Sequence, residues 1–360
     1  MGERRNGKVR VAVIFGGQSA EHDVSLRSAQ TVMGALDPER YEAVPIGVSR
    51  EGHWLTGGDP FAALTASSPL FALADGTASP PPVATESSLP QVFGGGFDVV
   101  FPVLHGPMGE DGTVQGLLEL TGVPYVGAGV LGSALAMDKA MAKTILAQAG
   151  LPQVPWRLVT RKEWERDPDD CCDWVGETLG FPCFVKPANM GSSVGVVKAH
   201  DASELPAALR EAARFDRRIL IEQGIDAREL EISVLGNDEP VASVVGEIIP
   251  SREFYDYEAK YIDDGSQLLA PAPIDGDTMT LIQEMAIDAF RALDLAGMAR
   301  VDFFLDRKTD QVYINEVNTI PGFTAISMYP ILWEATGIPL PELVDRLIGL
   351  ALERSLEKRR

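Results

Sequence analysis

Apolar residues gather in short runs in the first third of the chain, at 9–15, 44–48 and 98–104, with stretches of helical period between them. Strands alternating with helices mark a parallel sheet covered on its faces, so this part is expected to form an open α/β unit. Residues 57–96 break the pattern with prolines, glycines and small residues, which predicts a surface loop carrying no chemistry. A helix is then predicted over 138–149, stopped by Gly150 with Pro152 just beyond, and a new unit begins about there. Apolar runs at 181–186, 194–198 and 219–222, with a helix between the last two, predict a small α+β unit. A final block has strands at 229–235, 241–249, 297–305 and 312–316 and closes with amphipathic helices. The last helix runs from Pro341 into a basic tail, whose charges complement the helix dipole.

Composition narrows the partners. The 360 residues are 45% hydrophobic and 23% charged, which rules out a disordered or fibrous chain. Thirty-one Lys and Arg against 52 Asp and Glu leave a net charge of −21, which argues against nucleic acid or an anionic membrane as partner. Cys171, Cys172 and Cys183 fit neither a disulfide framework nor a zinc spacing, so a reducing, cytoplasmic setting is expected. The N-terminal apolar run is short and lacks a cleavage-site pattern, and reads as a buried strand. No stretch approaches the roughly 20 apolar residues of a spanning helix.

Candidate chemistry lies in the loops and at strand ends. Gly127, Gly129 and Gly132 match a dinucleotide-binding pattern, but a helix carrying Asp138, Lys139 and Lys143 follows where a second strand ending in an acid is required. In FVKPANMGSSVGV a strand delivers Lys186 just before a Gly/Ser-rich turn, which is either a phosphate-covering loop or an ordinary hairpin turn. Glu316 and Asn318 are two apart and share a strand face. If the hairpin pairs Asp302 with Glu316, then Val301 faces Val317, Phe304 faces Ile314, and two carboxylates and an amide oxygen converge. Such oxygen donors suit Mg²⁺ completed by water and nucleotide phosphates; a solvated edge hairpin is the other reading. NTIPGFT places Gly322 behind a proline, as an oxyanion donor beside Arg300 or as a plain Pro-Gly turn. Glu21, in FGGQSAEHDVSL, sits at a helix start, where it either holds an ammonium group or complements the dipole. His105 follows a strand and is either a hydrogen-bonded loop residue or part of the site. FYDYEAKY is too aromatic and charged for a buried strand and reads as a lid bearing Lys260 and Tyr261.

In this order FGGQSAEHDVS, HGPMGEDG, AMDK, VKPANMGSSVGV, LIEQ with ELEI, FYDYEAKY, ARVDFF and INEVNTIPGFT closely resemble the D-alanine:D-alanine ligases of the ATP-grasp superfamily, over nearly the whole chain. The resemblance implies an ATP-grasp fold, with an N-terminal open parallel-sheet α/β domain (1–130) and two α+β subdomains (131–223 and 224–360) clamping ATP. It implies ATP-dependent joining of two D-alanines through an acyl phosphate, for peptidoglycan precursor synthesis, in a cytoplasmic homodimer. Lys139, Lys186 and Lys260 match the phosphate contacts. Glu222, Gln223 and Ile225 match the segment receiving adenine, and Glu229 the acid on the ribose. Asp302, Glu316 and Asn318 match the ligands of Mg²⁺, with Mn²⁺ as a substitute. Glu21, Ser192 and Tyr261 match a hydrogen-bonded trio over the substrates, with the tyrosine favouring D-alanine over D-lactate as second substrate. Arg300 and Gly322 match the oxyanion site, and Ser327 with the Met328 N–H the group holding the second carboxylate. His105 is expected at the substrate end. Gln223 stands where a lysine is common, and 57–96 aligns with no motif.

Overall fold

The computed structural model describes residues 7–66, 85–86, 96–250 and 267–358. The N-terminal unit runs β1 (Val9–Gly16), α1 (His22–Ala35), β2 (Tyr41–Val48), β3 (Trp54–Thr56), α2 (Pro60–Thr65), β4 (Thr85–Glu86), β5 (Val99–Pro102) and α3 (Thr113–Thr121). Its sheet has the order β4-β3-β2-β1-β5. β2, β1 and β5 are parallel, as the near-continuous apolar runs predict, but β3 and β4 add an antiparallel edge beside β2. Strand β4 and α2 come from the stretch expected to be loop; most of the rest of 57–96 lies outside the described residues.

Two helices follow, α4 (Val130–Met137) and α5 (Lys139–Gln148). Asp138 caps α5 by accepting the Met141 N–H at 3.0 Å. The central unit comprises β6 (Trp156–Thr160), α6 (Arg161–Arg166), α7 (Pro168–Trp174), β7 (Cys183–Pro187), β8 (Val197–Ala199), α8 (Leu205–Phe215) and β9 (Arg218–Gln223), with antiparallel order β6-β9-β7-β8. The first strand and the two helices after it were not expected from the pattern. The C-terminal unit comprises β10 (Ala227–Gly236), β11 (Val241–Ile249), β12 (Gln267–Leu269), α9 (Gly276–Ala292), β13 (Gly297–Asp306), β14 (Val312–Asn318), α10 (Met328–Thr336) and α11 (Leu340–Glu357), with antiparallel order β12-β11-β10-β13-β14.

The apolar cores do not divide as the sheets do. One cluster joins Val11, Phe15 and Phe101 of the N-terminal sheet to Phe323, Tyr329 and Trp333, with α11 closing it through Leu343, Leu347 and Ile348. A second lies under the other face of the C-terminal sheet and includes Ala142 and Leu146 of α5. The central sheet and α8 enclose a third of their own, around Val185, Leu209 and Ile221. The helix α5 is therefore shared, with its apolar side in the C-terminal core and its lysines turned to the central sheet.

Candidate active site

Lys186 is carried by β7, and its neighbour β9 carries Glu222. The Glu222 carboxylate is buried between two ammonium groups, Lys143 Nζ at 2.6 Å and Lys186 Nζ in direct contact. Burial alone would push its carboxyl up, but the two lysines outweigh burial and hold it down at about 2. Burial likewise opposes the Lys186 charge, and Glu222, assisted by Glu316 and Glu229, overcomes it and raises the pKa. At Lys143 burial wins and the pKa is lowered. One turn earlier on α5, Lys139 Nζ donates to Met190 O at 2.7 Å and lies 3.6 Å from Glu316 Oε2. Three expected nucleotide residues, Lys186, Glu222 and Glu229, thus act on one another, and Glu316, which also acts on Lys186, links them to Lys139. Glu222 belongs to the segment that matches adenine recognition, and its side chain is engaged by lysines. Gln223 donates its side-chain N–H to Leu179 O at 2.8 Å, and half-buried Ile225 lies on the link to β10. The structural part of Lys143 was not legible beforehand; its only signal was the i,i+4 spacing from Lys139.

Across the link, β13 and β14 pair Arg300 with Asn318, Val301 with Val317 and Asp302 with Glu316, so the three expected metal ligands do share a face. The expected pairing of Phe304 with Ile314 is wrong. A bulge at Asn315 shifts the register, so Phe303 faces Ile314 and Phe304 faces Tyr313. Strict alternation would have put Ile314 on the same face as Glu316; the extra residue sends Ile314 and Phe303 into the core while the carboxylates stay on the site face. Arg300 grips Asp302 with two hydrogen bonds of 2.7 Å, and its Nε lies 3.0 Å from Glu231 Oε2. Burial disfavours the guanidinium charge, yet Asp302 and Glu231 raise its pKa well above the usual range. Asn318 Nδ2 donates to Asp302 Oδ2 at 3.0 Å. Among the described residues no trio of His, Cys, Asp and Glu gathers at metal-binding spacing. The set here is two carboxylates and an amide, all hard oxygen donors, which fits a divalent cation that takes its remaining ligands from water and phosphate.

At the substrate end, Glu21 stands at the N-terminus of α1 but makes no side-chain cap. Its carboxylate instead lies against two glycines, where added Cβ atoms would come within 2.7 Å (Gly106) and 3.0 Å (Gly191) of Oε2. A side chain at either glycine would push the carboxylate away from the place where the N-terminal unit meets the Gly/Ser loop. Ser192 and Ser193 turn that loop with φ of 47° and 58°. A cleft of about 290 Å³ opens here, lined by Gln18, Ser19, Glu21, Met108, Gly191 and Ser192. Gly322 packs against Ser327, whose Oγ accepts the Thr324 N–H at 3.0 Å, and Met328 opens α10. His105 is buried, with Nδ1 2.9 Å from Ile320 O and Nε2 3.2 Å from Ser28 Oγ; burial lowers its pKa. Lys260 and Tyr261 lie outside the described residues.

Comparison with known proteins decides the family. Models described as "D-ala D-ala ligase N-terminus" and "D-ala D-ala ligase C-terminus" match residues 10–128 and 145–349. The chain belongs to the D-ala D-ala ligase family. A D-alanine:D-alanine ligase of Heliobacterium modesticaldum is 52% identical over 98% of this chain and 97% of the relative. One of Geobacillus kaustophilus is 50% identical over 98% and 96%. Among solved structures, the D-alanine-D-alanine ligase of Coxiella burnetii matches with TM-score 0.80 and 37% identity, covering 98% of this chain and 96% of that one. The VanG D-Ala:D-Ser ligase of Enterococcus faecalis matches with TM-score 0.82 and 36% identity, covering 96% and 99%. The chain is thus a family member from end to end and shares the ATP-grasp arrangement expected from its motifs. No helix among the described residues is long and apolar enough to cross a membrane.

Proposed function

We propose that this chain joins two D-alanines to D-alanyl-D-alanine at the expense of ATP, through an acyl phosphate, for peptidoglycan precursor synthesis. The observation that carries the reading is the meeting of two charged clusters: Lys139, one turn from the Lys143 that pairs with Glu222, reaches Glu316, which pairs with Asp302 on the hairpin.

Adenine would lie along 222–225 with the ribose on Glu229, and Lys139 and Lys186 would face the phosphates, joined by Lys260 from the 254–261 segment. Asp302, Glu316 and Asn318 would hold Mg²⁺, or Mn²⁺ in its place, which supplies neutralisation of phosphate charge. Arg300, already bound to Asp302, keeps that carboxylate oriented and adds positive charge where the oxyanion develops. Glu21 holds the ammonium of the first D-alanine, with Ser192 and Tyr261 closing over it and His105 behind.

A carboxylate oxygen of that substrate forms a bond to the γ-phosphorus, and the bond from phosphorus to ADP breaks; positioning and charge neutralisation dominate this step. The second D-alanine, its carboxylate on Ser327 Oγ and the Met328 N–H, attacks the acyl carbon through its neutral amine. A C–N bond forms, the amine gives up a proton, and phosphate leaves with the C–O electron pair. Arg300 and the Gly322 N–H support the intermediate oxyanion, where one well-placed donor is worth about 3 kcal/mol.

The reading divides the chain functionally at 1–130, 131–223 and 224–360, and includes a cytoplasmic homodimer. Its test is ADP release with D-alanine as sole amino acid, with chromatography of the product and parallel assays containing D-serine or D-lactate. One dipeptide per ADP is expected. Turnover that requires another amino acid, or preferential capture of D-serine, would overturn the substrate assignment.

A further inference from the structure

We infer that Ser28, His105 and Glu110, all from the N-terminal unit, are positioning residues that fix the backbone of the 319–324 loop and thereby aim the Gly322 N–H. The inference rests on the oxyanion reading of Gly322 given above. The loop has no regular structure of its own, and side chains from the other unit hold it on both sides of Gly322. Before it, His105 Nδ1–H donates to Ile320 O at 2.9 Å, and the Ile320 N–H donates to Glu110 Oε1 at 3.2 Å. After it, the Phe323 N–H donates to Ser28 Oγ at 3.1 Å.

The three side chains form one network. A carbonyl only accepts, so the proton on His105 sits on Nδ1; Nε2 is then an acceptor, and the Ser28 hydroxyl donates to it at 3.2 Å while accepting from Phe323. This assignment belongs to the neutral imidazole, the form that burial favours. Glu110 is anchored in turn by the Gly106 N–H, at 2.6 Å from its Oε2. The ring of Phe323 packs edge-on against Phe101 of β5 at 5.9 Å, which seats the same segment through its apolar side.

What the network leaves over is as telling as what it uses. Of the backbone N–H groups at 320–324, those of Ile320, Phe323 and Thr324 are engaged and Pro321 has none. Among the described residues the Gly322 N–H has no protein acceptor. An unspent donor in a loop held on both sides is preorganised: it stabilises developing charge without first having to be ordered. Displacement of a positioned group by about 1 Å costs roughly a hundredfold in rate.

The experiment uses the full chain and compares Ser28→Ala, His105→Ala and His105→Asn, where the asparagine keeps an N–H near the Nδ1 position. Turnover, KM for ATP, ADP formed per dipeptide and Tm are measured for each. Ser28→Ala and His105→Ala are expected to lower kcat about tenfold or more, with KM for ATP changed by no more than about twofold. ADP should exceed dipeptide, because acyl phosphate that is formed but slowly captured is lost to water. His105→Asn should recover most of the kcat and the coupling. A one-to-one ADP to dipeptide ratio in the alanine variants, or no recovery by asparagine, would overturn the inference. Gly322→Pro, which deletes the N–H itself, separates the two readings. Unchanged turnover there sinks the oxyanion role, whereas loss there with unaffected Ser28 and His105 variants sinks only the positioning role.

Discussion

The N-terminal unit and the C-terminal sheet meet through a continuous apolar core, in which Phe101 of one packs against Phe323 of the other, whereas the central sheet meets its neighbours through ions and hydrogen bonds. At that second boundary the Lys139 N–H donates to Ala188 O at 3.0 Å, Asn189 reaches Asp138 at 3.2 Å, Arg218 contacts Asp138, and Lys143 pairs with Glu222. Close-packed apolar surfaces resist relative displacement, while polar contacts re-form at shifted positions or exchange with ligand groups. The difference assigns two mechanical roles. The reaction end is built as one body, and the half of the nucleotide site carried by the central sheet is the half free to adjust around its ligand.

Two glutamates, Glu222 buried and Glu110 half-buried, carry the same contrast into electrostatics. Burial works against both carboxylates. Glu222, between two lysines, is nevertheless held down at about 2, while Glu110, with Glu21 as a like-charged neighbour, goes up to about 8 despite N–H bonds from Gly106 and Ile320.

The largest effect should come from breaking the shared core. Phe323→Ala removes a fully buried ring and is expected to cost about 4 kcal/mol, lowering protection in β1 and β13 together. Leu209→Ala, in the central core, should cost about 3 kcal/mol yet leave exchange in β1 and β13 unchanged. Segment-resolved hydrogen exchange reads both outcomes, and a central-core variant that loosened all three units would erase the distinction.

Glu222→Gln sharpens the polar side of the comparison. It strands two buried ammonium groups, and a loss of about 3 kcal/mol is expected. Calorimetry checks the stability, and a rise of tenfold or more in KM for ATP should accompany it, whereas KM for D-alanine should move far less.

The pH dependence of stability should have opposite signs at the two glutamates. Glu222 is depressed from 4.5, so its contribution is present above that pH and is lost as pH falls from 4.5 towards about 2. Glu110 is raised from 4.5, so its contribution is present below 4.5 and is lost as pH rises towards about 8. Denaturation across pH should show the acid limb flattened in Glu222→Gln and the limb between 4.5 and about 8 flattened in Glu110→Gln. Unaltered limbs would contradict the environments described. The smallest effect is expected from Gln223→Lys. Its side chain serves mainly Leu179 O, so stability should change by no more than about 0.5 kcal/mol and KM for ATP by about twofold.

The hairpin was legible because a strand period of two brings Asp302, Glu316 and Asn318 to one face whatever lies beneath. The bulge at Asn315 was not, since it answers to the burial of Ile314 under the sheet, which alternation alone does not contain. Strand β6 was missed for a related reason. WRLVT is short and mixed in polarity, and its pairing with β9 supplies what its composition lacks. The core shared by α11 and β5 was illegible too, since an amphipathic helix shows that one face is buried and not against what. Nothing in the sequence marks Glu110 or Lys143, because burial, which gives them their character, is a property of the assembled units.

The claim that two units form one body around the reacting groups, with the central sheet apart, is tested most directly by native-state hydrogen exchange with and without a nonhydrolysable ATP analogue. The account predicts one opening free energy for β1, β5, β13 and α11, a separate one for β7 to β9, and a nucleotide-induced increase concentrated in the second group. Independent opening of the N-terminal strands, or a single opening shared by all three units, would contradict it.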